Sequence, residues 1–227
     1  MLMSVTVVVP TLNEESVLAA ALTRARQPGV REIIVVDGGS SDATTAVAAR
    51  HADLVLSAAR GRAAQMNAGA AHARGDILLF LHADTLVPDG FARAVIAACG
   101  DNAAVGGRFD VTLEPSDPLI RLTGELINRR SRLTSISTGD QAIFIRRAVF
   151  EQLGGYADIP LMEDIDLSRR MKRAGRIACL RQCVTTSARR WQTDGVVRTI
   201  LLMWSLRALY FFGVSPARLQ RYYANTR

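Results

Sequence analysis

The chain reads as an α/β protein, with a Rossmann-like, mostly parallel central sheet flanked by helices and a short helical extension at the C-terminus. Three observations predict this. Val5–Val9, Ile33–Val36, Leu54–Leu56 and Ile77–Leu81 are short aliphatic runs separated by helical stretches, the alternation that βαβ units produce. Within each run apolar residues follow one another without a polar alternate, as in strands buried on both faces. Polar side chains then gather directly after three of the four runs, where open α/β sheets place their ligand crevice.

Each element has its own local reason. Val5–Val9 is β-branched throughout, and Pro10 is expected to end it. Asn13 stands where it would cap a helix running to about Gln27. After Ile33–Val36, the segment Asp37-Gly38-Gly39-Ser40-Ser41-Asp42 turns the chain, and Asp42 caps a helix reaching about Arg50. Leu54–Leu56 is a short strand, Arg62–Arg74 an Ala-rich helix, and Ile77–Leu81 the fourth strand, followed by His82-Ala83-Asp84. Further on, Ala104–Val111 reads as a strand, Pro118–Arg130 as a helix and Ala142–Arg146 as a strand. A helix from Arg147 to Leu153 stops at Gly154-Gly155, and the charged helix Glu163–Ala174 is closed by Gly175. Residues 1–192 form the expected domain, and residues 193–227 a helical extension packed on that domain, on a partner or on a membrane surface. In the extension, 13 of the 17 residues of Val196–Phe212 are apolar. Its two arginines, Arg198 and Arg207, fall on opposite sides of an ideal helix, so no clean polar face results. The segment is short and doubly charged for a membrane span.

Composition narrows the chemistry. The 28 basic residues, against 21 acidic ones, are all arginine except Lys172. Reactions that require a lysine, at a Walker A loop or in a Schiff base, would rest on Lys172 alone, within a run of charged helix residues. The charge is also lopsided. Residues 1–100 carry 8 basic and 9 acidic side chains, whereas the last 61 residues carry 13 basic ones and Asp194 as the sole acid. Such a tail suits an anionic partner, and plain solubility explains it equally well. Aromatic residues are not interleaved with these arginines as base-stacking platforms would be, so no nucleic acid is expected. Cys99, Cys179 and Cys183 form no C-x-x-C pair, and the first strand has neither the charged leader nor the length of a signal peptide. A cytoplasmic protein is expected, compatible with peripheral attachment at the inner face of the membrane; a homodimer is left open.

The clusters at strand ends carry the candidate chemistry. Asp84, after a buried strand, can ligate a hard cation such as Mg²⁺ or Mn²⁺, with His82 beside it and phosphates completing the shell. A turn aspartate capping the next helix is the plainer explanation. Asp37 can accept from a ribose or base edge, or simply close an Asx turn. Arg60-Gly61-Arg62, with Gln65 and Asn67, opens a helix whose N-terminus favours anions. Glu163-Asp164 starts another, where acids are stabilised by the helix dipole and an ionised carboxylate can act as general base. No G-x-G-x-x-G, G-x-S-x-G, H-E-x-x-H or zinc-binding Cys/His spacing is present, which disfavours dinucleotide oxidoreductases, triad hydrolases and zinc enzymes.

Taken in order, Val7-Val8-Val9-Pro10-Thr11-Leu12-Asn13-Glu14, Val35-Val36-Asp37 with Asp42, His82-Ala83-Asp84 and Glu163-Asp164 resemble family-2 glycosyltransferases of the GT-A fold, over roughly residues 4–192. Gly61-Arg62 with Gln65-Met66-Asn67, Gly139-Asp140-Gln141, and Ser187-Ala188-Arg189-Arg190-Trp191 resemble, more narrowly, the bacterial radical-SAM/selenodomain-associated glycosyltransferases. The resemblance implies inverting, metal-assisted transfer of a sugar from a UDP- or GDP-sugar to an acceptor hydroxyl. Pro10, Thr11, Asn13, Glu14, Asp37, Arg60, Arg62, Gln65, Asn67, His82 and Asp84 would face the donor. Asp84, with His82, would hold the metal, and Asp164, beside Glu163, would be the base. Asp140, Gln141, Arg190 and Trp191 would lie on the side of an anionic or lipid-linked acceptor. Two departures are visible: His82 replaces the first acid of D-x-D, and Ser187 replaces the Gln of Q-x-x-R-W, which argues against a processive synthase. Two alternatives stand beside this reading. One is a non-catalytic nucleotide- or nucleic-acid-binding protein. The other is an NDP-sugar nucleotidyltransferase, although a Gly-rich basic loop would normally follow its first strand.

Overall fold

The computed structural model describes residues 3–100, 104–189, 193 and 195–225. Its centre is one eight-stranded sheet in the order β3-β2-β1-β4-β7-β6-β8-β5. These strands are β1 (Val5–Thr11), β2 (Val30–Asp37), β3 (Leu54–Ser57), β4 (Ile77–Phe80), β5 (Thr85–Leu86), β6 (Gly106–Glu114), β7 (Phe144–Arg146) and β8 (Ile177–Ser187). Pairing is parallel across β3-β2-β1-β4 and between β6 and β8. It is antiparallel where β7 joins β4 to β6 and where β5 meets β8. The sheet is therefore mixed, and the expected parallel character belongs to its first half.

The period-two geometry of the strands divides the core into two layers. Val5, Val7 and Val9 of β1 face α1 (Leu18–Ala25) and α4 (Phe91–Cys99), in a layer built on Leu18, Leu22, Phe91 and Val95. Val8, Ile34 and Val36 face the opposite side, against α3 (Arg62–His72), α6 (Arg147–Gln152) and α7 (Glu163–Ala174). Helix α3 lies very close to the sheet: a Cβ on Gly69 would stand 2.4 Å from Val8 Cγ1, so a larger residue there would push the helix away. Helix α2 (Thr44–His51) contributes Ala48 to the first layer, and α5 (Pro118–Thr134) contributes Ile120. Asp117 caps α5 by accepting from the Ile120 N–H at 2.8 Å.

The C-terminal helices α8 (Val196–Phe211) and α9 (Pro216–Asn225) pack over the start of α7. Leu206 and Leu219 join Met162 and Ile165 there in a small separate core. No helix among the described residues is long and apolar enough to cross a membrane.

Several boundaries differ from expectation for identifiable reasons. Strand β1 runs through Pro10 to Thr11. Pairing of β1 with β4 ends at Val8 opposite Phe80, so the missing Pro10 N–H interrupts no ladder on that side. Asn13 does not cap α1, which begins only at Leu18, with the Val17 and Leu18 N–H groups donating to the Glu14 carbonyl. Asn13 instead sits in the left-handed region (φ 55), which asparagine tolerates, and accepts from Ser41 N–H at 2.8 Å. It thereby ties the 11–17 loop to the 37–42 turn. Asp42 does serve α2, accepting from Thr44 N–H at 3.0 Å. Strand β8 and helix α4 had no counterpart in the sequence reading. In β8 the register against β6 jumps between Leu180 and Cys183, a bulge that leaves Arg181, Gln182 and Cys183 exposed and breaks the apolar pattern.

Candidate active site

The carboxyl ends of β1, β2 and β4 meet where the strand order reverses about β1, with Thr11 of β1 directly opposite Asp37 of β2. A cleft of about 890 Å³ opens there. Of the residues singled out from sequence, Pro10, Thr11, Glu14, Arg60, Arg62, Gln65, His82, Asp84, Asp140, Glu163 and Asp164 line it. Asn13, Asp37, Asn67 and Gln141 do not, and Arg190 and Trp191 lie outside the described residues. Another depression, about 550 Å³, runs along α1 and holds none of these residues.

The floor of the cleft is held by residues whose polar atoms point into the scaffold. Asp37 accepts from the N–H groups of Gly39 and Ser40, both at 2.9 Å, and from the hydroxyls of Ser40 and Thr11. Burial pushes its carboxyl up, but these hydrogen bonds outweigh burial and hold it below the usual value. Gln65, 4% exposed, donates from Nε2 to the carbonyls of Thr11 and Val36, each at 2.8 Å, and so clamps the ends of β1 and β2 together. Asn67 exchanges two hydrogen bonds of 2.9 Å with the Tyr156 backbone. Gln141 donates to Ser131 Oγ and the Phe109 carbonyl and accepts from the Thr138 N–H. These three amides brace loops around the site.

Carboxylates and guanidinium groups form the walls. Asp84 stands beside the hydroxyls of Thr85 and Thr186, each 3.4 Å from its Oδ1. Burial raises the proton affinity of Glu14, and the charge of Asp84 raises it further; Arg189, with Nη2 at 3.5 Å, opposes both. His82 turns Nδ1 to Asp140 at 3.4 Å. Its ring lies so close over Gly139 that a Cβ there would come within 2.5 Å of Nε2. Ligation of a metal by His82 would require giving up one of these contacts.

Across the cleft, Met162 takes a left-handed conformation (φ 70) and sends the chain into α7. For a residue with a Cβ this costs about 1–2 kcal/mol. Asp164 then accepts from Gly139 N–H at 2.9 Å and Ile165 N–H at 2.7 Å, so both carboxylate oxygens are oriented by backbone. Glu163 is buried; burial and the Asp164 charge push its carboxyl up, while Arg62 acts in the opposite sense.

The sequence reading did not find Thr186, Arg189 and Arg207 as cleft residues, nor Gln220 and Tyr223 of α9. Arg207 had a visible signal, a charge inside an otherwise apolar helix. Near it, Arg130 has its Nη2 buried without a hydrogen-bond partner among the described residues. Burial and the Arg207 charge bring the Arg130 guanidinium down to about 10.

The profile of Glycosyl transferase family 2 matches residues 6–154. A PGL/p-HBAD biosynthesis glycosyltransferase of Mycobacterium tuberculosis is 33% identical over 163 residues, 66% of this chain and 62% of the relative. The chain thus spans under two thirds of that relative's length. Among solved structures, the mannosyltransferase PcManGT of Pyrobaculum calidifontis, in complex with GDP-Man and Mn²⁺, superposes with a TM-score of 0.62. It shows 24% identity, over 81% of this chain and 56% of that one. S. aureus TarS 1–349 in complex with UDP-GlcNAc gives 0.64 at 18% identity, over 82% and 58%. These likenesses establish the fold as that of GT-A glycosyltransferases.

Proposed function

Since the chain belongs to glycosyltransferase family 2, we propose that it moves a sugar from a nucleoside-diphosphate sugar to an acceptor hydroxyl with inversion, using Asp164 as general base. The observation that carries this reading is the arrangement of Asp164: a carboxylate on the cleft wall, fixed by two backbone N–H groups. From there it takes the proton of the attacking hydroxyl, which displaces the diphosphate from the opposite face of the anomeric carbon. Neighbours of the same fold bind UDP-GlcNAc and GDP-Man, which supports a UDP- or GDP-sugar donor.

The donor's diphosphate would lie by the N-terminus of α3, where Arg60 and Arg62 add charge and bidentate donors. Arg62 also lies within electrostatic reach of Glu163, so the same cation would keep that buried acid in check while the donor binds. The metal fits an oxygen-only set. Asp84 and Glu14 crowd two carboxylates together with threonine hydroxyls at their side, the hard donors that Mg²⁺ or Mn²⁺ prefers. Among the described residues no three ligating side chains converge, and donor phosphates and water would supply the rest of the shell. When bound, such a cation neutralises charge on the leaving diphosphate.

On the acceptor side the arginine-rich second half favours an anionic or lipid-linked acceptor, with Asp140 and Gln141 near its entry and Arg190-Trp191 as the remaining motif residues. The closer motifs, Gly61-Arg62 with Gln65-Met66-Asn67 and Gly139-Asp140-Gln141, support reading the chain as one of the radical-SAM/selenodomain-associated subgroup.

Thermal-shift screening of UDP- and GDP-sugars with and without Mn²⁺ identifies the donor. Asp164→Asn should keep that shift and lose at least about 100-fold in the rate of nucleoside-diphosphate release. Release at the parental rate removes Asp164 as the base, and no shift with any donor removes the transferase reading.

A further inference from the structure

Helix α8 packs on the body through one face only. Thr199 and Leu206 are buried, and at about 100° per residue Val197, Leu201, Trp204 and Phe211 fall on the opposite side. Those four are 58–72% exposed, and Phe212, the next residue, is 81% exposed. Helix α5 packs against α8 and carries a second exposed row, Leu119, Leu122, Leu126 and Leu133, at spacings of three, four and seven. The rows adjoin. On the inner side of the two helices, the half-buried Arg130 of α5 and Arg207 of α8 are close enough for their charges to act on each other. Nine large apolar side chains exposed on two packed helices exceed what a soluble monomer ordinarily leaves in water.

The charge around this surface selects its occupant. Arg121 and Arg129 border the α5 row, and Arg198 borders the α8 row, all three exposed. Glu125 is the one acid in α5, α8 and α9, and it lies 3.7 Å from Arg129. Self-association about a two-fold axis would bring these arginines against their own copies. Anionic headgroups would neutralise them, while Trp204, Phe211 and Phe212 enter the headgroup–acyl boundary. Helix α8 is 16 residues long, about 24 Å, and would lie along such a surface.

We propose that the α5–α8 face docks on an anionic phospholipid bilayer. The inner side of α8 lines the cleft through Met203, Leu206 and Arg207, so a docked bilayer stands about one helix diameter, roughly 10 Å, from the candidate active site. A lipid-linked acceptor would then reach Asp164 without leaving the membrane. That consequence rests on the transferase reading, whereas the docking does not.

The test is co-sedimentation of the full chain with phosphatidylcholine vesicles, with and without phosphatidylglycerol. Binding should be about tenfold stronger or more to the anionic vesicles and should weaken with salt. The triple variant Leu201→Ser, Trp204→Ser, Phe212→Ser should lose at least about tenfold in binding while keeping its thermal unfolding curve. Protein that stays in the supernatant with both vesicle types overturns the proposal. So does a variant that binds as tightly as the parent, or a parental dimer, seen by sedimentation equilibrium without lipid, that the variant dissociates. Donor thermal shifts are measured separately without vesicles, so failure of the transferase reading leaves the docking result standing, and the reverse.

Discussion

Replacing Gln65 by leucine separates two roles that its position in the chain allows. If Gln65 is a clamp, its value lies in two buried hydrogen bonds, from Nε2 to the Thr11 and Val36 carbonyls at 2.8 Å each. A net hydrogen bond is worth about 1 kcal/mol, and an acceptor left buried and unpaired costs about 1–3 kcal/mol. The loss here is only partial. The Thr11 carbonyl keeps the Gly38 N–H at 2.9 Å, and the Val36 carbonyl keeps a long contact of 3.4 Å from the Thr11 hydroxyl. Leucine fills a similar volume at a site only 4% exposed, so little cavity energy is added. The expected destabilisation is about 1–3 kcal/mol. For a chain of this size that lowers Tm by roughly 2–12 °C, read by circular dichroism melts and by urea unfolding. Donor affinity should fall as well, because the clamp holds together the two strand ends that carry Thr11 and Asp37. A variant with parental Tm and urea midpoint but weakened donor binding would refute the clamp and make Gln65 a direct donor contact.

Two further perturbations test buried charge. Asp110 accepts from Arg108, 1% exposed, and from Arg132 of α5; Asp110→Asn leaves a buried guanidinium without a carboxylate and should cost about 3–5 kcal/mol in urea unfolding. A loss below about 1 kcal/mol would mean that the pair does not hold β6 to α5. Glu163 binds its proton more tightly in the folded chain than the usual value of 4.5, so its contribution falls as pH rises from there through the raised folded value. Glu163→Gln should therefore gain stability on the parent as pH climbs through that window, and parallel curves of Tm against pH would sink this account. Glu14 adds a slope of the same sign in both proteins. Asp37, held below 3.8, acts oppositely: its contribution is present above that pH and is lost on acidification through the lower folded value.

The legible parts of the fold are those where one physical requirement dominated. The strands of the first half are buried on both faces, which leaves continuous aliphatic runs, and β1, β2, β3 and β4 follow them to within a few residues. Helix α7 kept its expected limits, Glu163 to Ala174, because acids begin it and a glycine closes it. Strand β8 could not be read this way. Its bulge turns Arg181, Gln182 and Cys183 to solvent, and what remains on either side resembles two fragments too short to assign. The exposed face of α8 was illegible for the opposite reason. An apolar helix signals burial, and only the burial of Thr199 and Leu206 against the body reveals which side faces inward.

The candidate site divides by side-chain chemistry in a way that spacing alone does not disclose. The sequence grouped amides and carboxylates of the strand ends as equals. In the fold, Gln65, Asn67 and Gln141 turn to backbone, and Asp84, Glu163, Asp164, Arg60 and Arg62 line the cleft. An amide offers both a donor and an acceptor and carries no charge to desolvate, so it can be buried against unpaired backbone groups at modest cost. A carboxylate or guanidinium buried in the same place would need a counter-charge. Asp37 is the exception that obeys the rule: it is buried because two N–H groups and two hydroxyls converge on it. A strand-end acid in this fold is therefore free to meet a ligand only where the turn after it supplies no such donors. His82-Ala83-Asp84 is such a turn. Among the described residues Asp84 meets only two long hydroxyl contacts at 3.4 Å, and that shortage of donors, more than its place in the motif, makes it the better candidate for a cation.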